Sequence, residues 1–206
     1  MNKEKGEHAA PLGSAKSGRL EFVRGAANIT LHVGSGMEDL YRARFDGPVP
    51  SVRVEGGAVT VKYTWTLHPF DWRRRSADIA LNAQVPWRIS VSGGLSRLDA
   101  DLGGLQLDCF EVEGGVSRVE LTLPNPSSTV PVRIFGGASN LTIRRPQVAA
   151  ARLHVVGGAS KLTLDDQRLG AIGGETRLES RNYAGATDRY EITITGGANN
   201  VAVGTR

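Results

Sequence analysis

Apolar and polar residues alternate with a period of two along most of the second half of the chain, which is typical of strands with one buried face. Gly-Gly doublets interrupt this alternation at residues 93, 114, 136 and 157, at intervals of about 21 residues. The side chains two and four residues before each doublet are apolar, as are those five and seven residues after it. Each repeat is therefore predicted to be a strand, a glycine corner and a second strand.

A unit of this length cannot bury its inner face alone, so neighbouring copies are expected to stack and share one core. We predict a single-domain, all-β, β-helix-like fold, namely a β-solenoid with coils of about 21 residues and Gly-Gly corners. A β-sandwich with glycine-rich turns is the alternative, because short strands at this spacing also permit it. Stacking in register predicts that Leu121, Ile143 and Leu164 lie in one column of the core.

Further glycines extend the pattern in both directions. Gly196-Gly197 lies at a distance from Gly157 that predicts two coils, with the intervening coil passing through Leu178. Upstream, Gly56-Gly57 and Gly25 are each followed by alternating apolar residues, and we interpret both as earlier units with altered loops.

The domain is predicted to span residues 19–206, and residues 1–18 are predicted to form a disordered tail because they are polar and lack alternation. Residues 65–84 are predicted to form an irregular insertion. This segment would be a protruding loop or a strand pair with a longer connection. Insertions in repeat proteins often carry function, although we favour the explanation that the tryptophans cover an end of the core and the arginines are solvated. An exposed apolar step is also expected immediately before two of the doublets. The candidate interaction surface therefore consists of Trp65, Trp72, Arg73, Arg74, Arg75, Phe135 and Val156.

Composition restricts the choice of partner. The chain has 25 Lys and Arg against 21 Asp and Glu, and no basic stripe interleaved with aromatic residues, so no nucleic-acid partner is predicted. No apolar run reaches the roughly 18 residues of a membrane span, and no signal-peptide core is present at the N-terminus. We therefore expect no integral membrane segment and a cytoplasmic location.

The sequence contains few candidate catalytic or ligand-binding residues. Asp99, Asp101 and Glu120 would lie together on adjacent coils, which leaves open weak cation binding or a carbohydrate-binding or carbohydrate-active β-helix. No basic partner falls in phase with them, so we predict no enzyme, no catalytic or metal-binding residue and no cofactor. The single cysteine, Cys109, precedes the inward Phe110 and should point outward or lie at a bend, and a nucleophilic role is not expected.

Equal offsets from the doublets also predict ion pairs between adjacent coils. Glu111 should pair with Arg133, and Arg144 should pair with Asp165.

The strand, Gly-Gly-Ala-Ser, strand pattern of residues 132–143 and 153–164, followed by the closing segment 190–203, resembles a known family. It is similar to the glycine-repeat β-solenoid domains called putative adhesin or toastrack domains, most strongly over residues 87–206. The resemblance implies a bacterial, non-enzymatic interaction module, of a kind found in envelope-stress and regulatory proteins and often fused to membrane or DNA-binding segments. It implies no catalytic residues.

The predicted stack of coils has unpaired strand edges at its two ends, and the last strand ends near Val203 without a capping helix. We therefore expect a scaffold that either self-associates through its ends or docks an extended strand from a partner protein.

Overall fold

A computed structural model describes residues 6–24, 26–63 and 76–206, and these residues form strands and turns but no helix. No helix within those ranges is therefore long and apolar enough to cross a membrane. The strands are β1 (Gly6–Pro11), β2 (Gly18–Val23), β3 (Ala26–Gly34), β4 (Asp39–Asp46), β5 (Ser51–Glu55), β6 (Ala58–Lys62), β7 (Ser76–Asn82), β8 (Pro86–Ser92), β9 (Leu95–Asp101), β10 (Gln106–Glu113), β11 (Val116–Thr122), β12 (Thr129–Ile134), β13 (Ala138–Arg145), β14 (Ala150–Val155), β15 (Ala159–Leu164), β16 (Gln167–Ile172), β17 (Thr176–Glu179), β18 (Arg189–Ile194) and β19 (Ala198–Thr205).

The strands form two sheets. The ten-stranded sheet has the order β1-β4-β7-β3-β9-β11-β13-β19-β15-β16, and the nine-stranded sheet has the order β17-β14-β18-β12-β10-β8-β2-β6-β5. Each Gly-Gly corner joins a strand of the nine-stranded sheet to a strand of the ten-stranded sheet, as the repeat predicted. The central strands run parallel to their neighbours, unlike those of the antiparallel β-sandwich alternative. The all-β prediction is confirmed for the described residues, but the two sheets do not form a closed solenoid.

The order of strands in the sheets departs from their order along the chain. β18 lies between β12 and β14, and β19 lies between β13 and β15. The predicted position of Gly196-Gly197, two coils beyond Gly157, is therefore wrong. Leu178 does not belong to an intervening coil either, because β17 is an antiparallel strand at the edge of the nine-stranded sheet. All the units share one apolar period, so that period does not determine which unit lies beside which.

The core is built from columns of side chains that cross the sheets from strand to strand. Leu121 is paired with Ile143, and both Ile143 and Leu164 are paired with Val203. All four side chains are buried. The predicted column is confirmed, with Val203 inserted between two of its members. Burial of each such aliphatic side chain contributes about 1.5–3 kcal/mol relative to its exposure.

The two upstream glycine sites differ from each other. Gly56 and Gly57 both have positive φ and connect β5 to β6 as an antiparallel hairpin within one sheet, so their interpretation as a corner unit is wrong. A hairpin turn of this kind requires positive φ, which glycine adopts readily. The segment around Gly25 does cross between sheets, from β2 to β3, although Gly25 itself lies outside the described residues.

Two predicted irregular segments contain regular strands. Residues 6–11 of the predicted disordered tail form β1, which pairs with β4 and places His8 edge-to-face against Phe45 with ring centroids 5.6 Å apart. Residues 76–82 of the predicted insertion form β7, which lies between β3 and β4 and buries Ile79. The predicted disorder is wrong for residues 6–11, because pairing with β4 stabilises a segment whose own composition is weakly apolar.

Candidate functional site

Only part of the predicted interaction surface lies within the described residues. Trp65, Trp72, Arg73, Arg74 and Arg75 lie outside the described residues, so their role stays a prediction. The other two members of that surface lie immediately before corners.

Phe135 and Val156 are exposed, with 49% and 43% of their surface accessible. They do not form one continuous step, however, because the chain crosses between them at Thr195. The Thr195 amide donates to the carbonyl of Ile134, and the Val156 amide donates to the carbonyl of Ile194. The inserted β18–β19 unit therefore separates the two apolar side chains.

The three candidate carboxylates lie on the exposed face of the ten-stranded sheet. Asp99 is paired in register with Glu120, and Asp101 is paired with Thr122. Glu120 accepts a hydrogen bond from Arg144 at 3.3 Å, and Asp101 accepts one from the Gly103 amide at 3.1 Å. Among the described residues, no group of three or more His, Cys, Asp or Glu side chains is placed to hold a metal ion.

One of the two predicted ion pairs forms. Arg133 donates to Glu111 at 2.6 Å, as predicted. The predicted pair of Arg144 with Asp165 is wrong, because β19 lies between β13 and β15 and keeps these residues two strands apart. Asp165 instead accepts a hydrogen bond from Arg145 at 2.5 Å.

Arg145 is itself a buried cation, with 2% of its side chain exposed. Besides Asp165, its guanidinium donates to the carbonyl of Ala149 at 2.5 Å, and its Nε has no hydrogen-bond partner among the described residues. Residues 146–149 carry the chain from β13 across to β14, past the inserted unit. Arg145 thereby ties the end of β13 to this crossover and to the turn that follows β15.

Cys109 is buried rather than outward-facing, so that expectation is wrong. The register of β10 against β8 shifts between Leu107 and Cys109, which matches the alternative expectation of an irregular site. Burial, followed by the charge and hydrogen bond of Glu111, raises the pKa of the thiol to about 11. A thiol that stays protonated at neutral pH is a poor nucleophile.

The Gly-Gly corners line a groove of about 720 Å³, here called the corner groove. The second glycine of each doublet lines this groove, whereas the first glycine packs against a neighbouring corner. A Cβ on Gly136, Gly157 or Gly196 would lie 2.5–2.7 Å from the backbone of a neighbouring corner, so these residues permit the close approach of adjacent units. The residues that line the groove are Gly94, Gly115, Val116, Ser117, Gly137, Ala138, Ser139, Gly158, Ala159, Ser160, Ile172, Gly197, Ala198 and Asn199.

Beside the corner groove runs a short ladder of residues with left-handed backbone. Asn140, Asn200 and Lys161 have φ values of 52°, 57° and 56°. The Asn200 side chain donates to that of Asn140 at 2.8 Å. Asparagine adopts this conformation at little cost, whereas lysine does not. Lys161 is therefore the strained member of the ladder.

Among the described strands, four lie at the edges of the two sheets, and each pairs with its neighbour in antiparallel orientation. They are β1 and β16 in the ten-stranded sheet, and β5 and β17 in the nine-stranded sheet. The expectation that the last strand of the sequence forms a bare end is wrong, because β19 lies inside the ten-stranded sheet. The edges are formed by other segments of the chain.

Three of these edges carry features that discourage pairing with another strand, namely charged side chains or proline. Those residues are Glu7 and Pro11 in β1, Arg53 and Glu55 in β5, and Arg177 and Glu179 in β17. β16 carries one such residue, Arg168, where each of the other edges carries two, and it continues without charge or proline as Leu169, Gly170, Ala171 and Ile172. These four residues are here called the β16 edge, and Ile172 also lines the end of the corner groove.

The described residues thus define an all-β protein of two largely parallel sheets that are joined by glycine corners. The family described as the N-terminal domain of toast_rack, DUF2154, matches residues 2–144, and the chain belongs to that family. This confirms the resemblance drawn from the glycine repeats.

The fold is shared by a solved structure of low sequence identity. A putative cell adhesion protein from Clostridium sporogenes is 17% identical over the whole of both chains, with a TM-score of 0.75. A putative adhesin from Bacteroides fragilis is 10% identical over all of this chain and 98% of its own, with a TM-score of 0.34. No curated protein matches the chain.

Proposed function

We propose that this domain is a non-catalytic protein-interaction module that docks an extended strand along the β16 edge. The observation that carries the proposal is the contrast between β16 and the other three edges. An edge strand offers unpaired amide and carbonyl groups, and natural proteins usually guard such edges. A partner strand would add to the ten-stranded sheet through main-chain hydrogen bonds, which is a common mode of peptide recognition.

The side chains of the β16 edge are suited to this role. Leu169 and Ile172 are half-buried and lie opposite the buried Leu162 and Ala159 of β15, so they continue the core side of the sheet. An added strand would cover them with its own apolar residues. Gly170, which is exposed and has no neighbour within 4 Å of its Cβ position, leaves the outer side open to an approaching chain.

We also propose that the architecture is a β-solenoid in which two units are inserted out of chain order. The β2–β3 unit lies between β6–β7 and β8–β9, and the β18–β19 unit lies between β12–β13 and β14–β15. The alternative of a carbohydrate-binding or carbohydrate-active protein is not favoured, because Glu120 is paired with Arg144 and Asp101 accepts a hydrogen bond from the amide of a local turn.

The docking proposal can be tested with random peptides displayed on phage and selected on the purified domain. Selected peptides should bind the wild type and lose binding to the variant Ala171→Lys, because a lysine places a charge on the edge. The matched control is Ala9→Lys, which makes the same exchange on β1 at the opposite edge of the same sheet. Peptides that bind Ala171→Lys as well as the wild type, or a selection that enriches no binder, would refute the proposal.

A further inference from the structure

Resting on the proposed function, we infer that the strand that docks on the β16 edge is β16 of a second copy of this chain. The two strands run antiparallel about a two-fold axis that passes between Gly170 and Ala171. The ten-stranded sheets of the two copies then join edge to edge. A two-fold contact of this kind is self-complementary, so the same residues must fit one another in both directions.

The sequence of the β16 edge satisfies that condition. Leu169, Gly170, Ala171 and Ile172 read as large, small, small and large in either direction. About the proposed axis, Leu169 lies opposite Ile172 of the second copy, and Gly170 lies opposite Ala171 of the second copy. Each contact occurs twice.

The two faces of the strand agree with this register. Leu169 is paired with Leu162 and Ile172 with Ala159, and both partners on β15 are buried, so the large side chains meet on the core side. Ala171 is paired with Ser160 on the outer side. The small residues therefore meet where the surface is exposed, and the apolar pairs meet where they extend the core. Apolar pairs between adjacent strands contribute roughly 0.2–1 kcal/mol each beyond alanine.

The charged residue at the start of β16 does not oppose this register. Arg168 is exposed and makes no ion pair with any other described residue. It would lie opposite Gly173 of the second copy, beyond the end of β16. The two Arg168 residues would lie roughly 17 Å apart, five residues along the strand direction, so they would not repel each other strongly.

The oligomeric state is measured by light scattering after size exclusion, over protein concentrations from about 1 μM to about 1 mM. The wild type and Ala9→Lys should form dimers, and Ala171→Lys should raise the dissociation constant at least about tenfold. Circular dichroism and thermal unfolding establish that each variant is folded.

The register is tested with two single-cysteine variants, Gly170→Cys and Ala171→Cys. The space around Gly170 is open and its φ is not positive, so the first exchange is tolerated. The two positions lie opposite each other across the proposed axis, so a mixture of the two variants should form disulfide-linked dimers faster than either variant alone. Cys109 stays in place because it is buried.

The possible outcomes separate this inference from the proposed function. If the protein is a strict monomer across the concentration range, the inference that a second copy docks on the β16 edge is wrong. If phage-selected peptides still require the β16 edge in that case, the proposed docking function stands. A dimer that is weakened by Ala9→Lys and not by Ala171→Lys overturns the inference, as does a disulfide that forms no faster in the mixture. If the protein is monomeric and no peptide depends on the β16 edge, both proposals fail.

Discussion

The two glycines of a corner doublet should respond oppositely to the same substitution. In the doublet Gly196-Gly197, a Cβ on the first glycine would lie 2.6–2.7 Å from the backbone of Gly136 and Gly137. A Cβ on Gly197 would lie 3.6 Å from the carbonyl oxygen of Gly158, which is an ordinary contact distance. Neither glycine has a positive φ, so backbone strain does not separate them. The variants Gly196→Ala and Gly197→Ala therefore isolate the effect of close approach.

The expected magnitude follows from what must move. Gly196→Ala pushes the inserted corner away from its neighbour by about 1 Å, and overpacking of this kind typically costs about 1–3 kcal/mol. The displacement also weakens the hydrogen bond from the Gly196 amide to the Gly136 carbonyl, now 3.0 Å long, which contributes about 1 kcal/mol. Gly197→Ala instead restricts the unfolded chain and should stabilise by about 0.4–1 kcal/mol. The two variants should therefore differ by about 3 kcal/mol in the free energy of unfolding.

The measurement is urea unfolding followed by tryptophan fluorescence, since Trp87 is fully buried and its indole donates to the carbonyl of Asn82. For a chain of this size, a difference of 3 kcal/mol corresponds to about 6–12 °C in Tm. Equal destabilisation by Gly196→Ala and Gly197→Ala would refute the argument, because then close approach would not distinguish the two positions. Gly136→Ala against Gly137→Ala repeats the comparison at a second corner.

Three further predictions concern single side chains. Because burial raises the pKa of the Cys109 thiol to about 11, Ellman's reagent should label it only as the protein unfolds in urea, and fast labelling of the folded protein would contradict its burial. Lys161→Asn should raise the free energy of unfolding by about 0.5–1 kcal/mol, since asparagine tolerates the left-handed backbone, and an unchanged midpoint in urea would argue against strain at that site. Arg145→Ala should lower stability by about 3 kcal/mol by leaving Asp165 without its buried partner, whereas the control Arg133→Ala, at an exposed pair, should cost less than about 1 kcal/mol in the same calorimetric measurement.

Much of the fold could be predicted from the sequence, because the period of two and the spacing of the doublets act locally. The corner at Gly136, the strands on both sides of it and the inward direction of Ile143 all follow from a pattern within about 20 residues. The pair of Glu111 with Arg133 followed for the same reason, since β10 and β12 are consecutive repeats and also neighbours in the sheet.

The candidate site could not be predicted in the same way. The β16 edge becomes distinctive only when the other edges are known, and the sequence does not say which strands lie at an edge. The run from Leu169 to Ile172 resembles any short, weakly apolar strand. The absence of charged residues in this run indicates a docking edge only once β16 is known to lie at the end of the ten-stranded sheet.

The inserted β18–β19 unit explains both the failed predictions and a property of the fold itself. Its strands pair on one side with β12 and β13 and on the other side with β14 and β15. Val203 completes the column between Ile143 and Leu164, and Asn199 accepts a hydrogen bond from Ser160 at 2.8 Å. Until residues 189–205 are in place, β14 to β17 cannot pair with the rest of either sheet. The strand pairing that joins the β16 edge to the rest of the ten-stranded sheet therefore runs through this unit, beside the bond between Arg145 and Asp165, so we expect formation of the proposed docking edge to depend on folding of the inserted unit.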